Sequence, residues 1–282
     1  SAEGGETLQI KVDEQGAPDP NRQRRGVFKP TVGNELQRLA LPPTSKPLFI
    51  LDAKAQQLVQ IGGNTTNRFA AATARLDLAS LGPSDLRDVA FHPQDQHLYL
   101  LNRSDQRIYK LTTAGQVVTV YDLAPLQLVD PQGLVFAPSS DRTDDTATSH
   151  LFIADAGTPD QRRGGRLVEV ALDPPATISS AATATSLSLF LVQNIDLSKK
   201  VPPSPDPSGI TYLPTTNHLL ISDGEVDEIA NLFTGNNLYE MTLTGDLASV
   251  ATTLPYSFEP TGVDDNPANG HVFIADDDRK RV

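Results

Sequence analysis

Five stretches of this chain align on one frame, and no other feature narrows the fold as far. Asp206-Pro207-Ser208-Gly209-Ile210 leads on to His218-Leu219-Leu220-Ile221-Ser222-Asp223. Glu259-Pro260-Thr261-Gly262-Val263 leads likewise to His271-Val272-Phe273-Ile274-Ala275-Asp276, and Asp130-Pro131-Gln132-Gly133-Leu134 to His150-Leu151-Phe152-Ile153-Ala154-Asp155. Degenerate copies run from Asp85 to Asn102 and from Glu35 to Asp52. The interval from the opening acid to the closing Asp or Asn is 17 residues in four copies and 25 in the third, where 139–149 holds an insertion. Short strands recurring with a period of roughly 45–50 residues are the pattern of blades arranged around an axis.

The expected fold class is therefore an all-β propeller of four-stranded blades. A single domain should cover 1–282, with frames starting near 35, 85, 130, 206 and 259. Segments 7–12 and 25–29 read as strands and correspond to 237–244 and 247–253, the third and fourth strands of a blade. Residues 1–32 thus supply outer strands of a shared or incomplete blade, while the fifth frame stops after its second strand. Two arrangements follow: five blades closed by the two ends of the chain, or a six-bladed propeller of which about a blade is missing.

Asn102-Arg103-Ser104-Asp105-Gln106-Arg107-Ile108 and Ala275-Asp276-Asp277-Asp278-Arg279-Lys280-Arg281-Val282 resemble the NHL repeat, as do the openings at Pro131, Pro207 and Pro260. The likeness spans about 33–282. It extends to the group holding the YWTD receptor propellers, regucalcin/gluconolactonase-like proteins and paraoxonase-like lactonases. It implies six blades, which tips the expectation to the six-bladed arrangement. In the lactonases a divalent metal is held by acids and Asn just before the Gly of the frame. The matching positions here are Gln37, Arg87, Gln132, Ser208 and Thr261, none of them acidic. The acids of this chain sit two residues earlier, one pleat step of about 6.6 Å further out. The lactonase triad is not reproduced, but a shallower metal site remains open.

The opening acids, Glu35, Asp85, Asp130, Asp206 and Glu259, should ring one mouth of the channel. Carboxylates gathered that closely either bind a hard cation, Ca²⁺ first, or cap tight turns through their own backbone N–H groups. The closing residues Asp52, Asn102, Asp155, Asp223 and Asp276 read as turn-fixing groups. Glu225, Asp227, Glu228, Asp277 and Asp278 add charge to the same face, offset by Arg103, Arg107, Arg162, Arg163, Arg279 and Lys280. His97, His150, His218 and His271 share one frame position, five residues before the closing residue, which places them at turns on the opposite face. Asp141, Asp144 and Asp145 read as a solvated acidic loop without EF-hand spacing. No nucleophile elbow, phosphate loop or His-Glu-x-x-His occurs.

The absence of Cys removes disulfides and thiolate metal sites. A net charge of -12 argues against nucleic acid and anionic membranes as partners and suits cation binding. Apolar runs are strand-sized, so no membrane span is expected. Ser1 and the single Met241 suggest a processed or excised piece. The composition points to a secreted bacterial protein, extracellular or periplasmic, and a monomer. The functional expectation is a binding module whose acidic, calcium-binding channel face recognises a small molecule, glycan or protein. The alternative is a metal-dependent hydrolase acting on a lactone, ester or phosphoester.

Overall fold

The second strand of each frame carries an unbroken apolar run, and burial on both faces explains it. A computed structural model describes residues 7–11, 24–26, 36–40, 47–64, 68–82, 84–157, 164–172, 186–187, 189–255, 257–266 and 270–276. In chain order, β1 (Thr7–Lys11) and β2 (Arg24–Gly26) precede the frames. The first frame forms β3 (Leu36–Ala40), β4 (Leu48–Asp52), β5 (Gln57–Asn64) and β6 (Arg68–Asp77). The second forms β7 (Leu86–His92), β8 (His97–Asn102), β9 (Arg107–Leu111) and β10 (Val117–Asp122). The third forms β11 (Pro131–Pro138), β12 (Ser149–Asp155) and β13 (Arg166–Leu172); after β14 (Ser186–Leu187), it ends with β15 (Leu189–Asp196). The fourth is β16 (Pro207–Leu213), β17 (His218–Asp223), β18 (Leu238–Thr242) and β19 (Leu247–Ala251), and β20 (Pro260–Asn266) and β21 (His271–Asp276) belong to the fifth.

Alternation in β8 sends Leu98 and Leu100 into a cluster with Phe49, Leu51 and Leu58 of the first blade. Tyr99 and Leu101 go into a cluster with Leu134, Leu151 and Ile153 of the third. In the same way Phe152 and Ala154 meet Leu219, Ile221 and Tyr239, and Leu220 meets Val272 and Ile274. Successive strand residues point to opposite sheet faces, so a strand flanked by two blades must be apolar at every position. Each fully buried Leu or Ile contributes about 1.5–3 kcal/mol.

The circle closes at the fifth interface. Phe273 and Ala275 of β21 pack with Leu48, Ile50, Val59 and Ile61 of the first blade. The inner strands β3, β7, β11, β16 and β20 neighbour one another in that order, and β20 returns to β3. The early strand β1 pairs antiparallel with β21, Leu8 opposite Ile274, giving the sheet β2-β1-β21-β20. The propeller is thus five-bladed and closed by both ends of the chain. The expectation of a truncated six-bladed ring is corrected: β20 already lies against β3, which leaves no gap for another blade.

The frame interval has a direct cause. The closing side chain accepts the backbone N–H of the opening acid: Asn102 from Asp85 at 3.1 Å, Asp155 from Asp130 at 2.6 Å and Asp223 from Asp206 at 2.9 Å. The insertion in the third copy lengthens the connection without disturbing this bond, because it leaves at the far end of the hairpin. Each inner strand also carries a bulge between the second and fourth frame positions, at Leu36/Arg38, Leu86/Asp88, Pro131/Gly133, Pro207/Gly209 and Pro260/Gly262. The glycine after the bulge is sterically required. A Cβ on Gly209 would lie 2.6 Å from the Val263 backbone N of the next blade, and one on Gly133 would lie 2.6 Å from the Ser208 carbonyl.

Candidate functional site

Arg103 governs the mouth of the channel at the acid end. Its Nε donates to Asp85 Oδ2 at 2.6 Å, and its Nη1 pairs with Asp130 Oδ1, so one guanidinium spans two blades. Arg87 adds a second pair to Asp85, Nε to Oδ1 at 2.9 Å, and its Nη1 reaches Gln132 Oε1 at 3.5 Å. Among the described residues no three acids or histidines converge as a metal cluster. Asp206 and Glu259 stand half-buried at the same frame position, and Glu35 lies outside the described residues. The bulged position, where a lactonase would place metal ligands, holds the Arg87–Gln132 contact instead.

The closing ring is structural. Asp223 is fully buried and takes N–H groups of Asp206, Glu225 and Val226 and the Ser204 hydroxyl. Asp155 takes the N–H groups of Val129 and Asp130 together with Arg166 Nε at 2.7 Å. The acids of the third-frame insertion act as local turn caps, Asp141 on Thr143 N–H and Asp145 on Ala147 N–H.

The histidines lie at the other face, where their frame position puts them. Gln96, Asn217 and Gly270, the residues just before His97, His218 and His271, adopt positive φ and end the tight turns. His150 and His218 do more than turn the chain. His150 Nδ1 donates to Glu169 Oε1 and His218 Nδ1 to Glu240 Oε1, both at 2.7 Å, where Glu169 and Glu240 are buried on the third strands. The second blade has Lys110 at the equivalent point, paired with Asp95 at 2.6 Å.

A cavity of about 430 Å³ occupies the channel from its middle toward this histidine face. It is lined by matching three-residue steps of the inner strands, 89–91, 134–136, 210–212 and 263–265, with Ala40, Asp88, Pro93 and Pro214. Three acids line it, and the frame shows how unusual they are. Asp88 stands where the three strong copies have Gly133, Gly209 and Gly262. Its Oδ1 accepts Val89 N–H at 2.8 Å and its Oδ2 accepts Leu134 N–H at 2.7 Å, stitching β7 to β11. Asp264 Oδ1 accepts the Thr211 hydroxyl at 3.1 Å and Asp265 N–H at 2.9 Å, bridging β16 and β20. Asp265 occupies the step where the second, third and fourth blades have Phe91, Phe136 and Tyr212. It is only 7% exposed, and its carboxyl has no hydrogen-bond partner among the described residues. Burial pushes its pKa up to about 6. Among the described residues no Lys or Arg lines the cavity.

None of these three acids belongs to the ring of opening acids. The frame marks two of them: Asp88 stands at the step where the three strong copies hold glycine, and Asp265 at the step of Phe91, Phe136 and Tyr212.

No protein-family model matches the chain, and no curated protein matches it in sequence. Solved structures do match. Glutaminyl cyclase of Myxococcus xanthus superposes with a TM-score of 0.52 at 12% identity, over 97% of this chain and 93% of that one. A chain of a nidogen/laminin complex gives 0.49 at 12% identity, over 96% and 86%. Streptogramin B lyase gives 0.45 at 17% identity, over 97% and 74%. At these identities the likeness is one of fold. This chain is a β-propeller. No helix among the described residues is long and apolar enough to cross a membrane.

Proposed function

We propose that this propeller is a binding module whose ligand, a small molecule or the end of a glycan or protein chain, enters the channel cavity from the histidine face. The observation that carries the reading is Asp265, a buried acid in a cavity of ligand size that serves no bond of the fold. The buried acids Asp155 and Asp223, by contrast, are met by several donors. An unanswered one inside a pocket is where recognition is paid for in stability. Ligand-observed NMR with a mixture of small amines, acids, alcohols and sugars tests this. Pro214→Trp, at the exposed rim, should abolish the signals of bound components. Binders that are indifferent to the rim substitution would place the site elsewhere and end the reading.

Calcium at the acid mouth is a separate part of the proposal. Arg103 already neutralises Asp85 and Asp130, so the ion would depend on Asp206, Glu259 and Glu35. A melt in calcium against one in EDTA tests it, and an unchanged midpoint removes calcium from the reading. The likeness to NHL and regucalcin-like propellers and the cysteine-free, acidic composition support an extracellular or periplasmic setting.

A further inference from the structure

We propose that the ligand of the channel cavity is an organic ammonium ion, a primary or methylated amine on an apolar body, with the Asp265 carboxylate as its counter-ion. The inference rests on the reading of the cavity as the binding site and adds the chemical class of what it takes.

The lining decides the class. Its charged side chains, among the described residues, are the carboxylates Asp88, Asp264 and Asp265. Asp88 has both oxygens on backbone N–H groups, Asp264 Oδ1 holds Thr211 and Asp265 N–H, and Asp265 keeps its carboxyl for something else. The hydroxyls near it already have acceptors: Thr211 donates to Asp264, and Tyr212 donates to Asn217 Oδ1 at 2.8 Å. Around the unpartnered Asp265 carboxyl the described lining offers neither Lys nor Arg nor a spare hydroxyl, so this point of the pocket disfavours anions and favours a ligand that brings N–H or N–CH₃ groups with positive charge. The remaining walls are largely apolar, including Val89, Leu134, Ile210 and Val263, and suit a hydrocarbon or aromatic body.

A divalent metal fits less well. Ca²⁺ needs six to eight oxygens, and among the described residues no cluster of three acids or histidines converges here. Asp264 and Asp265 are consecutive on one strand and so point to opposite faces. Asp88 lies on β7, and β3 stands between it and β20 in the ring. A single monovalent head group at Asp265 is what the geometry serves. The fold itself gains nothing from that acid: the register of β20 is held by Asp265 N–H, whose bonds to Thr211 and Asp264 do not involve its own carboxyl.

Calorimetric titrations with phenethylamine, phenyltrimethylammonium, 2-phenylethanol and phenylacetate, which vary the charge of the head group on a phenyl body, test the proposal. The cations should bind at least tenfold more tightly than the alcohol, and phenylacetate should not bind. Asp265→Asn should lose tenfold or more for the cations and leave the alcohol unchanged, while Pro214→Trp removes all binding. A thermal melt confirms that both variants are folded. If the alcohol binds as well as the amines and Asp265→Asn changes nothing, while Pro214→Trp still abolishes binding, the cavity is the site but the ammonium inference is overturned. If no probe binds, or binding survives Pro214→Trp, the cavity reading falls and the inference with it.

Discussion

Asp223 and Asp265 are both buried acids whose pKa burial drives up to about 6, yet they stand in opposite relations to the fold. Asp223 closes the fourth frame and is held by four donors, three of them backbone N–H groups of the turns it organises. Asp265 stands in the channel wall with no donor among the described residues. The desolvation is similar, and only the first acid is repaid by the structure around it. These two carboxylates therefore differ in whether removing them would break the blade or relieve it.

The strongest way to break that division is Asp223→Ala. It strands three backbone N–H groups and the Ser204 hydroxyl in the interior, and should cost about 3–5 kcal/mol in urea unfolding. A loss no larger than that of a surface change would show that the closing ring does not hold the frame.

Asp265→Asn should act in the opposite direction. An acid with a raised folded pKa is favoured in its protonated form. Wild-type stability therefore falls as pH rises from the unfolded value of 3.8 to the folded value of about 6. Removing the charge should stabilise the protein by up to about 2 kcal/mol at pH 7, with channel water allowed for, and the gain should vanish below about pH 4. Paired melts at pH 7.5 and 4 read this directly. A gain that persists at low pH would assign it to packing and not to the buried charge.

Arg103→Met sharpens the contrast at the acid mouth. It leaves Asp85 facing Asp130 across two blades without their shared cation, and Arg87 still pairs with Asp85. The pairs are partly exposed, so the loss should be about 1 kcal/mol at low ionic strength and should shrink in salt. Melts in low and high salt measure it.

The smallest effects belong to the histidines. His218→Asn removes a donor from buried Glu240, which keeps its bond from the Ser249 hydroxyl, and should cost about 1 kcal/mol. His97→Asn, beside partly exposed Asp95, should cost about 0.5 kcal/mol or less. Equal values would mean that the Glu240 contact adds nothing beyond the turn.

Much of the blade was legible in the chain. The opening acid, the glycine after the bulge, the histidine at the hairpin and the closing Asp or Asn recur because each solves a local problem: a cap, a close approach or a turn. The alternation of β8, β12, β17 and β21 is equally local, and it marks strands buried on both faces. Asp265 was readable only as an exception, an acid at the step where Phe91, Phe136 and Tyr212 stand.

What the amino-acid sequence determined by itself was the repeat, the strands within it and the propeller class, because these follow from periods of two residues and turns of a few. The tertiary structure decided the rest. Five blades close because Phe273 and Ala275 meet Ile50 and Ile61, and because β1 pairs with β21 across nearly the whole length of the chain. Arg103 serves Asp130 from 27 residues away, and Thr211 meets Asp264 and Asp265 from 53 and 54. Contacts between blades depend on which blade comes next around the axis and how closely its inner strand approaches. No single frame contains that information, so the partners of Asp130, Asp264 and Asp265 appear only once the ring is closed.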